Sequence, residues 1–139
     1  MDVEECLEEG FLRKIRPDPK LLEKEFREAE FDLKKAKDAF DEKNYKWSIV
    51  MAYYSMFHAA RSILFALGLK EKRHFAIGVV LEDLVKQGKL EEIYVNYFNS
   101  AMEARKGTDY RYEYSSEIAK DILETAEKFI RRMRAFKQP

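Results

Sequence analysis

Cysteine, proline and glycine are all scarce in this chain: one, three and five among 139 residues. The lone Cys6 leaves no partner for an internal disulfide and no cysteine-based metal site, and a free thiol fits a reducing compartment. Asn-Gly and Asp-Gly pairs are missing, so no tight β-hairpin is signalled. There is no glycine-rich phosphate loop, no dinucleotide fingerprint and no serine elbow. The two histidines, His58 and His74, are not spaced as helical metal ligands, and the glutamates do not supply the paired Glu-x-x-His motifs of di-iron bundles. Neither a metal nor a cofactor is expected. Net charge is also missing, with 26 basic residues balancing 26 acidic ones, which argues against bulk electrostatic binding of nucleic acid but not against a local patch. No run reads as long and apolar enough to cross a bilayer. The acidic start, Met1-Asp-Val-Glu-Glu-Cys6, lacks the basic flank and apolar core of a secretory leader. A soluble, cytoplasmic protein without a membrane partner is expected.

Apolar material and charge are both plentiful, at 46% and 37% of residues, with 14% aromatic. That suffices for one core in a chain of single-domain length. The excess of Glu, Lys and Arg over Asn and Gln leans towards a heat-adapted source. Charge is unevenly spread. Residues 1–10 hold five acids and no base, whereas Arg131, Arg132, Arg134 and Lys137 crowd the other end, where a solvated last helical turn favours cations.

The spacing predicts an all-α fold, an up-down antiparallel bundle of four to five helices in one domain over 1–139, with 1–17 as an N-terminal extension. Residues 2–14 are expected to form a short acidic helix, followed by a break at Arg16-Pro17-Asp18-Pro19. Asp18 is a good N-cap with Pro19 at the first helical position. The helix that follows, to about Glu42, carries Leu22, Phe26, Ala29, Leu33, Ala36 and Phe40 as one stripe. Asn44 caps and Gly68 ends a second helix, over about Tyr45–Leu67. It is apolar on nearly every side and so is expected at the centre. Its small residues Ser48, Ala52, Ser55, Ala59, Ser62 and Ala66 suit close packing of another backbone, within the chain or across a dimer. Lys70-Glu-Lys-Arg-His74 reads as a basic turn. Helices over about Phe75–Lys86 and Leu90–Arg105 follow, the second with Leu90, Tyr94, Tyr97, Ala101 and Ala104 inward. Lys106–Tyr110 reads as a connection. A last helix, capped by Ser115 or Ser116, runs to about Phe136 with Ile118, Ile122, Phe129, Met133 and Phe136 inward.

Two groupings bear on chemistry. At 100° per residue, Trp47, Tyr54, His58, Arg61 and Phe65 share one sector of the second helix. An arginine among rings can grip a phosphate while a ring stacks on a base, or it can simply satisfy a neighbouring carboxylate with its stem packed on the rings. In Arg105-Lys-Gly-Thr-Asp109-Tyr110, an arginine, a carboxylate and a phenol meet at a helix exit. They form either a polar ligand site or a self-contained pair of Arg105 with Asp109.

Tyr53-Tyr-Ser-Met-Phe-His-Ala-Ala-Arg-Ser-Ile-Leu-Phe-Ala-Leu-Gly68 resembles the signature helix of HEPN domains. The likeness continues in Arg73-His74, in Val85-Lys-Gln-Gly-Lys-Leu90 and in Arg105-x-x-x-Asp109-Tyr110, covering roughly residues 20–136. It is strongest to the prokaryotic standalone branch often encoded beside a minimal nucleotidyltransferase. The resemblance implies a helical bundle, a homodimer, and in many members a metal-independent ribonuclease acting as a toxin or defence effector through Arg, four to six residues, then His. Here the matching arginine is Arg105, and no histidine follows it. Asp109-Tyr110 stands in its place, and a carboxylate without a large pKa shift cannot do the work of imidazole near neutral pH. The reading is therefore a non-catalytic module binding a nucleotide, RNA or a nucleotidyltransferase partner. Ligand candidates are Tyr54, His58, Arg61, His74, Arg105, Asp109 and Tyr110. A ribonuclease using Arg105 and Tyr110, with His74 brought across a dimer, and a purely structural dimerisation module are the alternatives.

Overall fold

The computed structural model describes residues 1–136; Lys137 of the basic end lies outside the described residues. Among the described residues are six helices and two short strands: α1 (Val3–Glu8), β1 (Leu12–Lys14), α2 (Pro19–Asp41), α3 (Tyr45–Ala66), β2 (Leu69–Glu71), α4 (Phe75–Lys86), α5 (Glu92–Arg111) and α6 (Ser116–Arg134). The all-α bundle is as the periodicity predicts.

Helix starts follow local chemistry. The Asp18 carboxylate accepts from the Lys20 and Leu21 amides, with Pro19 as the first helical residue. Asn44 accepts from Trp47 N, and Ser115 from Ile118 N. Each side chain satisfies a first-turn amide that the helix itself cannot. After α3, Gly68 takes φ +75°. A Cβ there would sit 2.8 Å from the Ile15 carbonyl oxygen, so the turn requires glycine for two reasons.

α3 is the axis of the molecule. Fourteen of its 22 residues are buried, and α2, α4, α5 and α6 all pack on it. The sequence expectation of no bilayer-length apolar run is corrected here. By length and composition alone α3 qualifies, and its encirclement by other helices accounts for its apolar character. The small-residue stripe is used within the chain. Ser48, Ala52, Ser55, Ala59 and Ser62 are fully buried, and the Ser48 hydroxyl donates to the Ala36 carbonyl of α2 at 2.9 Å. The Ser55 and Ser62 hydroxyls donate back to Ala52 and Ala59 of their own helix, so neither leaves a buried polar group unpaired.

Three boundaries differ from expectation. α5 runs on through Lys106–Tyr110 to Arg111, where a connection was expected. It ends only when Tyr112 turns left-handed at φ 54°, with the Tyr112 and Glu113 amides donating to the Gly107 carbonyl. Its buried residues are Val95, Phe98, Ala101, Gly107 and Thr108; of the expected inward set Leu90 and Ala101 are buried, while Tyr94, Tyr97 and Ala104 pack partly buried against the core. α6 stops at Arg134 rather than Phe136. The third is the expected 2–14 helix, which stops at Glu8; Leu12–Lys14 form instead one strand of a two-stranded antiparallel sheet, pairing Leu12 with Glu71, Arg13 with Lys70 and Lys14 with Leu69. The supposed basic turn is thus partly strand. Ile15 N donating to Gly68 O and Lys72 N to Phe11 O extend the pairing. The sheet and α1 fold the N-terminal segment back, α1 packing on α4 with Cys6 and Leu12 buried.

At the basic end Arg131 is exposed, whereas Arg132 and Arg134 are paired. Arg132 donates to the Glu91 carboxylate and the Lys89 carbonyl. Arg134 reaches Glu23 and Glu30 of α2 at 2.8 and 2.7 Å, over the ring of Phe26.

Candidate functional site

The polar groups along α3 form two adjoining clusters. In the first, His58 lies between two carboxylates of α2: Nδ1 is 2.6 Å from Glu25 Oε2, and Nε2 is 3.6 Å from Asp32. Burial raises the Asp32 pKa, with the charge of His58 opposing. One turn on, Arg61 lies over Phe57, donates twice to Glu71 Oε2 at 2.9 and 2.5 Å, and comes within 3.6 Å of Glu25. These pairings tie α2, α3 and β2 together. They leave Arg61 and His58 engaged with protein carboxylates, the structural role open to such an arginine.

The second cluster forms where α3, α4 and α5 meet. β2 and the short link after it deliver His74 to the start of α4. The residue as a whole is exposed. Its Nε2 edge meets the Tyr53 hydroxyl at hydrogen-bond distance, and its ring packs 4.4 Å from that of Phe57. From α5, the Arg105 guanidinium lies 5.4 Å from the Tyr53 ring centre and 5.0 Å from that of Tyr54, within cation–π range. Its Nε is 3.3 Å from Asp109 Oδ2, but off-axis, so that buried N–H makes no hydrogen bond among the described residues. The side chain as a whole is 31% exposed. A second buried atom, Glu71 Oε1, also has no hydrogen-bond partner among them.

Burial lowers the His74 pKa from its ordinary value, Arg105 adding to the effect and Glu71 opposing it. Burial likewise pushes Tyr53 up to about 12 against the pull of Arg105. At neutral pH the site holds a protonated phenol, a neutral imidazole and one arginine with donors to spare. Those donors have the chemistry to hydrogen-bond an oxyanion.

Of the seven residues expected at a site, the structure brings Tyr54, His74, Arg105 and Asp109 into this second cluster and His58 and Arg61 into the first. Tyr110 stands apart, 78% exposed. Of the remaining sector, Trp47 sits roughly 20 Å along α3 from Arg61 at 1.5 Å per residue, and Phe65 is buried in the core. Sequence reasoning missed Tyr53, which lies on the neighbouring face to Tyr54, and the carboxylates Glu25, Asp32 and Glu71. The spacing Glu71-x-x-His74 was the one available signal for Glu71. A concavity of about 540 Å³ beside Leu7, Gly10 and Lys72 and another of about 510 Å³ beside Trp47 and Met51 contain none of the seven.

Comparison with known proteins adds three findings. Residues 22–136 match the HEPN domain family. The chain is 32% identical over 125 residues to "Putative toxin MJ0605" of Methanocaldococcus jannaschii, covering 82% of this chain and 92% of that one. It is 30% identical over 113 residues to a "UPF0332 protein" of Archaeoglobus fulgidus, covering 80% and 90% respectively.

Proposed function

The chain belongs to the HEPN family, and on that premise we propose that it is the binding module of a toxin–antitoxin or defence pair. It takes the phosphate of a nucleotide or RNA at Arg105, acts as a homodimer without catalysing a reaction, and has a minimal nucleotidyltransferase as its protein partner. One observation carries the reading: the Arg105 guanidinium rests on Tyr53 and Tyr54 with its Nε–H buried and unbonded. A planar fork of donors held on aromatic faces suits a phosphate, and Tyr54 offers a ring for a base. Asp109 and solvent-facing Tyr110 follow Arg105 where the ribonuclease motif has its histidine, which supports binding without cleavage. A relative that bears the name of a toxin supports the biological setting. Ser48, Ala52, Ser55, Ala59 and Ser62 of the small-residue stripe are buried within the single chain, which weakens the case for a purely structural dimerisation module.

Calorimetric titration of the purified chain with ADP and a short RNA tests the ligand. Co-purification with a co-expressed minimal nucleotidyltransferase tests the partner. Arg105→Ala is expected to weaken phosphate binding about 10- to 100-fold, the worth of a charged hydrogen bond. Wild-type protein that binds neither nucleotide, RNA nor partner overturns the reading.

A second reading, a metal-independent ribonuclease, is favoured by one observation: His74 and Arg105 both contact Tyr53 within a single chain. A neutral imidazole beside an arginine has the makings of a general base. RNA cleavage in the presence of a chelator that disappears in both Arg105→Ala and His74→Ala supports it. Cleavage that survives either change refutes that assignment.

A further inference from the structure

Tyr53 is the buried side chain common to His74 and Arg105. It is 1% exposed, and the acceptor that meets its hydroxyl is His74 Nε2, the Arg105 guanidinium beside it being a donor only. A buried phenol must place its proton on an acceptor. If Tyr53 donates to Nε2, that nitrogen is bare and the imidazole carries its proton on Nδ1. An imidazolium would instead make Nε2 a donor and strand the phenolic proton. It would also add charge beside Arg105 of α5 and Arg61 of α3, with Glu71 of β2 the opposing group.

We infer that Tyr53 is the positioning residue of this site, locking His74 as the neutral Nδ1–H tautomer so that His74 and Arg105 present two donors to one oxyanion, a nucleotide or RNA phosphate. This rests on the binding role given to Arg105 above. The Tyr53 ring sets the height of the arginine, and its hydroxyl sets the tautomer of the histidine. One side chain thereby couples α3 to both α4 and α5. The tautomer also makes recognition sensitive to pH: protonating His74 breaks the lock as it adds charge.

The test is ring-nitrogen NMR of His74 in the full-length chain with and without Tyr53→Phe, a near-isosteric change that keeps the ring, paired with ADP titration of both proteins. In the wild type above pH 7, Nδ1 is expected protonated and Nε2 bare. In the variant the two tautomers mix and the His74 titration midpoint moves upward. ADP affinity falls about fivefold, as for one lost hydrogen-bond donor. A wild-type Nε2–H tautomer, or a His74 spectrum unmoved by Tyr53→Phe, overturns the inference even if ADP binds. A locked tautomer in a protein that binds no ADP overturns the ligand reading on which the inference rests.

Discussion

Arg105 and His74 illustrate how a side chain's partners decide its use. Arg61 and Arg105 both lie over aromatic rings, yet Arg61 is met by Glu71 and Glu25, whereas the carboxylate that reaches Arg105 among the described residues, Asp109, leaves its Nε–H without a hydrogen bond. Arg105→Lys is expected to keep the charge and lose most of the phosphate affinity, because an ammonium cannot reproduce the planar fork; titration against ADP reads this directly. His74 also marks the pH dependence of stability. Its pKa is lowered in the folded state, so as pH falls below the ordinary value of 6.5 the unfolded chain takes up the proton first. Its contribution is fully present above 6.5 and declines as pH drops from there towards the folded value. Urea midpoints measured across that window should fall more steeply for the wild type than for His74→Asn.

Among the elements, α3 carries the most consequence per residue. Its small side chains let α2 come close enough for Ser48 to reach the Ala36 carbonyl. Ser55→Leu or Ser62→Leu must force extra volume into fully buried positions and is expected to cost about 1–3 kcal/mol. Denaturant unfolding measures that loss, and unchanged stability would refute the packing role of the stripe. At its C-terminal end, Gly68→Ala meets both a positive φ and the Ile15 carbonyl at 2.8 Å. A loss of about 1–3 kcal/mol is expected. The helices themselves are written into the chain. Asp18-Pro19, Asn44 and Ser115 are local starts, and the Leu22 to Phe40 stripe repeats at the helical period. The end of α5 is not legible in this way. Lys106-Gly107-Thr108-Asp109 has the composition of a loop, and only the buried seat of Gly107 and Thr108, with the Thr108 hydroxyl donating to the Glu113 carbonyl, carries the helix through it.

Taken whole, the molecule is a helical bundle around α3 with its N-terminal segment folded back on one end. Residues 1–17 precede the stretch that matches the family, yet they bury Cys6 and Leu12 and complete the sheet that holds Glu71 beside Arg61. Deleting them exposes several apolar side chains at about 1.5–3 kcal/mol each, offset in part by chain entropy. The thermal midpoint is expected to fall by at least about 5 °C, whereas a mere appendage would leave it unchanged.

The sequence by itself determined the helical class, the central place of α3, the capping residues and the kinship with HEPN domains. Each of these rests on hydrogen bonds and apolar repeats within a few residues, or on an ordered set of motifs along the chain. Tertiary structure alone decided that β1 pairs with β2, that His58 and Arg61 are held by α2 and β2 carboxylates, and that Tyr53 joins His74 to Arg105. Those contacts join residues far apart in the chain. Their geometry depends on how helices rotate and cross as the core fills, and no local pattern encodes it.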